Sequence, residues 1–435
     1  MEKREFSSFF YRKRFSRMTQ KKNNTAIVAV FSALLVFITY FISLNELRNG
    51  VSDFSGHVYT YIPLLKGSQG VDGWMAVPYF MWHLCVMALN RFTPIPLEAS
   101  AAFVSCFFAV FGFYVLYWMF DKVATYYELE CGAVQKGFFA FALSIVQPLF
   151  MYWFDTTSQY LGQFSINPMH NPTHMCVKPF SLLCLCFAYD ILERIHNPEH
   201  KGMFVDVSKG IRRASILLAV TLLLSCMAKP TFAEVFIPAI GLIMLYEWLK
   251  RLIAKDGSAK EYFRKCLNML LISMPALAYI LLQFLAYIIW GGSYGGDGAG
   301  LIITEWMLVW RMYTENVVVS MLLGMGFPFF LVLLNGTYFV KDNLGRIALV
   351  GYIVGVLECA FLGEGGGKIT HGDFLWHMMS GMTLLWVVAA LRFMVLEERQ
   401  NKTKVQQVCN HAAWWILLLY VLFGVIYIYN GLQMS

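Results

Sequence analysis

One short segment brings together a carboxylate and an imidazole. Asp53 and His57 lie four residues apart, just after the first long apolar run of the chain. If a helix begins near Asp53, the two side chains share one helix face at a separation of about 6 Å. Such a pair can abstract a proton from a substrate hydroxyl. The alternative is that Asp53 only caps that helix, because Asp is favoured at the N-cap.

A second group of polar residues lies between 167 and 180. Asn171 followed by Pro172 predicts the start of a helix. His174 and Lys178 then fall on one face of its first turns, and His170 immediately precedes the start. Because a helix N-terminus beside a cation attracts anions, we predict a phosphate-binding site here. The alternative is that Lys178 extends to the lipid headgroups.

Ionisable residues also occur near Lys-Pro and within a later apolar run. Lys229 precedes Pro230 in a tight turn, and Glu234 follows soon after. Lys229 is a candidate phosphate ligand, with neutralisation by Glu234 as the alternative. Glu358 lies inside an apolar run, so we expect it to be buried against a partner such as Lys229 or Lys368.

The connection at 364–377 contains three consecutive glycines, which let a backbone approach a ligand closely. We predict that Lys368, His371 and His377 contribute to substrate or phosphate binding. Asp373 is a candidate cap for the helix that follows, and His377 would lie one turn into it.

Composition sets the class of protein. Of 435 residues, 58% are hydrophobic and only 14% are charged, and the mean hydropathy is +0.56. Soluble domains contain about 25% charged residues. The chain is therefore predicted to be an all-α polytopic membrane protein. Its net charge of +7 comes mainly from the N-terminal segment and short loops, so nucleic acid is not an expected partner. The ten cysteines are scattered without a CxxC pair, which argues against a disulfide framework or a zinc site.

The apolar runs predict about eleven membrane spans. Residues 1–24 form a basic cytoplasmic tail, and 25–435 form a single transmembrane domain. The segment 74–89 is treated as lying in the interface, because counting it as a span would place the basic stretch 194–213 outside. The N-terminus is then cytoplasmic and the C-terminus lies outside the cell membrane. The predicted spans are 25–44, 97–120, 134–154, 173–193, 211–229, 232–250, 266–290, 316–340, 346–363, 373–395 and 411–431.

Two outer loops are predicted to hold interfacial helices. The first loop, 45–96, begins near Asp53. The later loop, 291–315, is rich in glycine and then in aromatic residues, which is typical of a lid with an interfacial helix or of a flexible link with an aromatic anchor. Six of the nine histidines fall on the outer side in this arrangement; they are His57, His83, His170, His174, His371 and His377.

An acidic residue early in the first outer loop, followed by short interfacial helices and later spans with basic outer rims, resembles the GT-C superfamily of integral-membrane glycosyltransferases. The resemblance concerns the layout of roughly the first 315 residues. It implies a polyprenyl-phosphate-linked sugar as donor, a cell-envelope glycan or lipid as acceptor, and Asp53 as the general base. Many members carry two acidic residues close together, whereas this chain has Ser52-Asp53-Phe54. We therefore predict no cofactor, with a divalent metal as the open alternative.

The expected reaction is inverting sugar transfer at the outer membrane surface. His57 would orient Asp53 or relay its proton, while Lys178, His174 and the helix start at Asn171 would stabilise the departing phosphate. The alternative functions are a transporter or flippase of lipid-linked intermediates, an envelope polysaccharide polymerase or ligase, and, less favoured, an O-acyltransferase.

Overall fold

The structure is a computed structural model. It describes 2–50, 53–67, 77, 79–149, 163–255, 257–290, 300–365, 369, 372–399 and 402–433, with side chains from Thr25 onward and, in the helix that ends at 290, as far as Leu285. Lys368, His371, the glycines at 291–299 and the side chains of the basic tail lie outside the described residues.

Helices make up 80% of the residues that the structure describes. Apart from one π-helical turn, His57–Tyr61, the helices are α1 Glu2–Asn49, α2 Asp53–Gly56, α3 Ile62–Leu65, α4 Met81–Phe92, α5 Leu97–Tyr126, α6 Ala133–Ile145, α7 Pro172–His196, α8 Arg212–Ala228, α9 Thr231–Ala254, α10 Ala259–Trp290, α11 Leu308–Arg311, α12 Val317–Lys341, α13 Asn343–Phe361, α14 Leu375–Glu397 and α15 Lys404–Gln433.

Nine helices in the described part of the chain are long and apolar enough to cross a membrane: α1 from Thr25, α5, α7, α9, α10, α12, α13, α14 and α15. The prediction of an all-α, multi-pass membrane protein is confirmed at that level. The most apolar windows of α7 and α14 are each 89% buried inside the protein, whereas that of α10 is 17% buried. Thus α7 and α14 are central, and α10 lies at the periphery.

Two predicted spans correspond to shorter helices. The helix expected over 134–154 ends at Ile145, and the next four residues belong to no helix or strand. Pro148 explains the early end, because a proline disfavours helical geometry in the residue before it. The freed backbone is bonded elsewhere: Gln147 N donates to Tyr420 O at 3.3 Å, and Leu149 N donates to Leu323 O at 3.1 Å. The other short helix, α8, has 17 residues.

The long helices run between two ends of the bundle. The Asp53 end contains Asp53, the start of α7, the α8–α9 turn and the start of α14. The Asp190 end contains Asp190 near the end of α7, the start of α8 and the α12–α13 turn. Asn343, which begins α13, donates to Glu193 on α7 at 2.8 Å and fixes that end.

The segment after α1 folds into short helices at the Asp53 end. A π-helical turn separates α2 from α3, just before Pro63. Proline has no N–H to bond the carbonyl four residues earlier, so the regular α-helical pattern is interrupted there. In the predicted interfacial segment 74–89, the structure describes α4, whose 12 residues are too few to cross about 30 Å of hydrocarbon. Trp82 and His83 of α4 are fully buried.

The segment 300–315 differs from the predicted interfacial helix. Residues Leu301–Ile303 form strand β1, which pairs antiparallel with β2, Leu362–Glu364. The helix in this segment has only four residues, Leu308–Arg311. Trp310 is fully buried and its ring lies 4.6 Å from that of Phe164, whereas Trp306 is exposed. Trp310 therefore anchors the segment to the protein interior and not to the membrane interface.

Candidate active site at the Asp53 end

Asn171 organises the site because it caps a central helix. Its Oδ1 accepts from the backbone N of His174 at 2.8 Å and from Thr173 Oγ1 at 2.9 Å. Pro172 then occupies the first helical position, as the sequence predicts. The side chain is 2% exposed. The cap thus holds the amide of Asn171 in one orientation at the start of α7.

The same amide lies between a carboxylate and an ammonium group. Asn171 Nδ2 donates to Asp53 Oδ2 at 3.0 Å, and Lys229 Nζ donates to Asn171 Oδ1 at 3.5 Å. The three residues come from distant parts of the sequence and from three separate elements. Asp53 begins α2 and is exposed, whereas Lys229 is 5% exposed. The structure therefore brings an accessible base and a buried cation to either side of one amide.

Lys229 has an aromatic environment. Its ammonium lies 3.7 Å from the centroid of the Trp376 ring and 6.0 Å from that of Tyr79. Within the described residues it forms no salt bridge with a carboxylate, so the predicted neutralisation by Glu234 is wrong. Burial lowers the pKa of Lys229 to about 8, against the opposing effect of the Asp53 and Asp373 charges. A cation buried without a direct counter-ion is suited to binding an anionic ligand.

Asp373 is a second exposed carboxylate near this site. It precedes α14, and its charge acts on Lys229, Tyr79 and Tyr313 together with that of Asp53. Burial raises the pKa of Tyr79 well above its ordinary value, and the neighbouring Tyr61 and the two Asp charges raise it further. Sequence analysis identified Asp373 only as a cap and did not identify the tyrosines. Tyr79, Tyr313 and Asp373 come from three separate loops, so no sequence spacing links them.

His57 pairs with another histidine and has no hydrogen bond to Asp53. His57 Nδ1 and His83 Nε2 are 3.0 Å apart, and both rings are buried. Burial lowers the pKa of His57 well below its ordinary value, with further lowering by His83 and Lys229; burial lowers that of His83 to about 4. Both rings are therefore neutral at pH 7. The predicted role of His57 in orienting Asp53 stays a prediction.

His377 lies between two carboxylates. Its Nε2 is 2.8 Å from Glu234 Oε2 on α9, and its Nδ1 is 3.1 Å from Glu358 Oε2 on α13. Among the described residues the partner of Glu358 is therefore His377 and not Lys229, while Lys368 lies outside them. The three residues lie on three different helices, and Glu234 precedes the other two by more than 100 residues, so no local signal marks this arrangement.

Lys178 lies deeper along α7 than the group around Asn171. Its ammonium donates to Leu143 O at 3.1 Å, to Ile166 O at 3.5 Å and, more closely, to Asn167 Oδ1. These bonds tie α7 to the end of α6 and to the segment before Asn171. Lys178 also lines a cavity of about 40 Å³ together with His174.

The two remaining predicted histidines lie near Asn171. The His174 ring centroid is 5.6 Å from that of Trp376, and its buried Nδ1 has no hydrogen-bond partner in the structure as described. His170 Nδ1 lies 3.3 Å from Tyr427 Oη. Burial lowers the pKa of His170 to about 4, despite the opposing charge of Asp53.

No group of three or more His, Cys, Asp or Glu residues suited to a metal ion occurs within the described ranges. Neither a scan against protein-family models nor a search of curated proteins gave a match. The function is therefore inferred from the chemistry of the residues at the Asp53 end.

Proposed function

We propose that this protein is an integral-membrane glycosyltransferase of the GT-C type. Its donor would be a polyprenyl-phosphate-linked sugar and its acceptor a hydroxyl of a cell-envelope glycan or lipid. The observation that supports this most strongly is the Asn171 side chain, which contacts both the exposed carboxylate of Asp53 and the buried ammonium of Lys229. Inverting sugar transfer needs a base and a phosphate-stabilising cation in one site.

In the proposed reaction, the acceptor oxygen forms a bond to the anomeric carbon from the face opposite the phosphate. The bond between that carbon and the phosphate oxygen breaks, and its electron pair leaves with the polyprenyl phosphate. The acceptor proton passes to Asp53, whose exposed position leaves it accessible to a hydroxyl. Lys229 stabilises the negative charge that grows on the leaving phosphate.

The donor phosphate would be bound mainly by Lys229 and not by Lys178. Lys178 already donates to two backbone carbonyls and one side-chain oxygen, whereas Lys229 faces an aromatic ring and one amide oxygen. The start of α7 and the unpartnered His174 Nδ1 supply further donors nearby. His170 stays a predicted ligand beside them, as do Lys368 and His371 outside the described residues.

For topology, we propose eleven crossings in the cell membrane, with the N-terminus cytoplasmic and the C-terminus outside. Nine crossings are the long apolar helices, and α6 with the segment after it and α8 supply the other two. The Asp53 end would then face outward, where a lipid-linked donor and an envelope acceptor could meet. The excess of Lys and Arg in the opposite loops supports this orientation.

The direct test is Asp53→Asn in a transfer assay with purified protein, radiolabelled polyprenyl-phosphate sugar and an envelope extract as acceptor. We expect kcat to fall by about 10²–10⁴-fold, the usual contribution of a general base, while donor binding persists. Glu98→Gln, a change at a half-buried carboxylate of α5 that accepts from Tyr59 Oη at 3.3 Å, serves as the matched control. Wild-type turnover by Asp53→Asn would remove Asp53 from the mechanism.

The second candidate is a transporter or flippase of a lipid-linked intermediate. The contact of His377 with Glu234 and Glu358 favours it, because ionisable groups within membrane helices often mark transport pathways. Proteoliposomes distinguish the two functions. A transporter would move labelled polyprenyl-phosphate sugar across the bilayer without an acceptor, and the transferase would not.

A further inference from the structure

We propose that Glu234, His377 and Glu358 form a positioning triad, which holds the Trp376 ring against Lys229 and thereby sets the affinity of the phosphate site. This inference rests on the proposed function, since it assigns Lys229 the phosphate. It gives His377 a different role from the direct phosphate contact predicted from the sequence. His377 would act through its neighbour on α14 and would be a positioning residue.

The triad joins the two segments that supply Lys229 and its aromatic cover. Lys229 lies two residues before α9, and Glu234 is in the first turn of that helix. Trp376 and His377 are adjacent in the first turn of α14. The contact between Glu234 and His377 at 2.8 Å therefore fixes the start of α9 against the start of α14. A second contact, Thr231 Oγ1 to Ser380 Oγ at 3.5 Å, lies beside it.

The third member anchors α14 from its other side. Glu358 on α13 lies 3.1 Å from His377 Nδ1. Backbones approach closely there, because a Cβ added to Gly355 would lie 2.8 Å from His377 O. The contact with Glu358 is an ion-pair distance, since neither His377 Nδ1 nor Glu358 Oε2 has a hydrogen-bond partner in the structure as described. His377 is held in position by a carboxylate on each side and by its burial, with 5% of its surface exposed.

Trp376 connects the position of His377 to the ammonium of Lys229. Its ring centroid lies 3.7 Å from the Lys229 ammonium and 5.6 Å from the His174 ring. A cation over a tryptophan face is stabilised by the ring, and the effect falls as the cation moves off the face. A shift of α14 would displace the ring and leave the buried ammonium free to move away from Asn171. Both carboxylates lie within 3.1 Å of the His377 ring, and their negative charges would repel a phosphate there.

The test is a double-mutant cycle on the affinity of undecaprenyl phosphate, measured by native mass spectrometry in nanodiscs. Trp376→Leu removes the ring face, and we expect a loss of about 5–30-fold. Trp376→Phe should restore part of the affinity. His377→Gln should cause a similar loss, and the double variant should lose little more than either single variant, because both act on one ammonium.

Matched variants separate positioning from general damage. His200→Gln removes a buried histidine that contacts a carboxylate at the Asp190 end, 3.1 Å from Asp190, and should leave the affinity unchanged. Glu358→Gln tests the triad if His377→Gln does not fold, and it should reproduce the loss.

Unchanged affinity in either folded triad variant would overturn the positioning role, as would additive losses in the cycle. If wild type and Lys229→Ala both fail to bind undecaprenyl phosphate, the proposed function itself fails, which is a different result.

Discussion

Two carboxylates at opposite ends of the bundle differ in their hydrogen bonding. Asp190 is fully buried and accepts from the backbone N of Met203, Phe204 and Val205 at 2.7–2.8 Å, and from His200 Nε2 at 3.1 Å. Asp53 is exposed and accepts one hydrogen bond from the described residues, that of Asn171. Asp190 accepts four hydrogen bonds and holds a loop, whereas Asp53 keeps acceptor capacity that faces solvent.

The cations show the same contrast. Arg346 at the Asp190 end forms a salt bridge with Glu247, with 2.9 Å between Nη1 and Oε1. Lys229 at the Asp53 end faces Trp376 and the oxygen of Asn171. A salt bridge with good geometry contributes to the stability of the fold. A buried cation without a counter-ion costs stability, and such a residue is usually retained where it serves a function such as binding an anionic ligand. The ionisable groups named at the Asp190 end are thus paired within the protein, whereas those at the Asp53 end are paired less completely, as the proposed ligand site requires.

The largest difference between the two ends is expected when one cation is removed from each. Lys229→Ala should lower kcat for sugar transfer by about 10²–10³-fold, as the loss of a charge-stabilising group does. Arg346→Ala should leave the activity per folded molecule within a few-fold of wild type. The steady-state transfer assay measures both, and equal losses in the two variants would show that the ends do not differ in function.

Stability should depend more on the carboxylate at the Asp190 end than on the carboxylate at the Asp53 end. Asp190→Ala leaves three backbone N–H groups and His200 without their acceptor, which should destabilise the protein by about 3 kcal/mol or more. Asp53→Ala should change stability by less than about 1 kcal/mol, because its carboxylate is exposed. Denaturant titration in detergent compares them. A less stable Asp53→Ala than Asp190→Ala would reverse the assignment of the two ends.

Asn171 has two roles that substitution can separate: it caps α7 and it donates to Asp53. Asn171→Ala should lose about 1 kcal/mol of stability through the missing cap and also lower kcat by about 10-fold. Asn171→Ser preserves a capping oxygen and should recover stability without recovering turnover, since it lacks the amide that donates to Asp53. Recovery of both by Asn171→Ser would limit Asn171 to capping.

A smaller effect concerns pH. The pKa of Lys229 is about 8, so the ammonium form predominates below that value. Affinity for a phosphate lipid should change little between pH 7 and pH 8, where the phosphate monoester stays dianionic, and should fall by up to about tenfold per unit at higher pH. Lys229→Arg, which stays charged, should bind with a flat profile up to pH 10. A flat wild-type profile over that range would show that Lys229 does not set the affinity.

The sequence predicted the parts of this account that depend on local spacing. The cap at Asn171 followed from Asn-Pro, the membrane class from the apolar runs, and Asp53 and Lys229 from their unusual positions beside such runs. The early end of α6 was missed by the prediction of a span over 134–154, although Pro148 inside that span carries the signal for it.

What could not be predicted depends on how helices dock. The pairing of His57 with His83 requires α4 to fold back on the π-helical turn, and the contact of His377 with Glu234 and Glu358 requires three helices to meet. Nothing in the spacing of these residues specifies such distances. The phosphate-binding role predicted for Lys178 shows the same limit. A lysine on the first turns of a helix has the same sequence pattern whether its ammonium contacts a phosphate or, as here, a backbone carbonyl.

The most direct measurement of the central claim is native mass spectrometry of the protein purified in mild detergent, beside Lys229→Ala and the Arg346→Ala control. We predict that wild type and Arg346→Ala retain a co-purifying polyprenyl phosphate or its sugar adduct, and that Lys229→Ala loses it. The mass of the adduct would identify the sugar. Absence of any polyprenyl lipid from wild type, or its full retention by Lys229→Ala, would contradict a phosphate site at the Asp53 end.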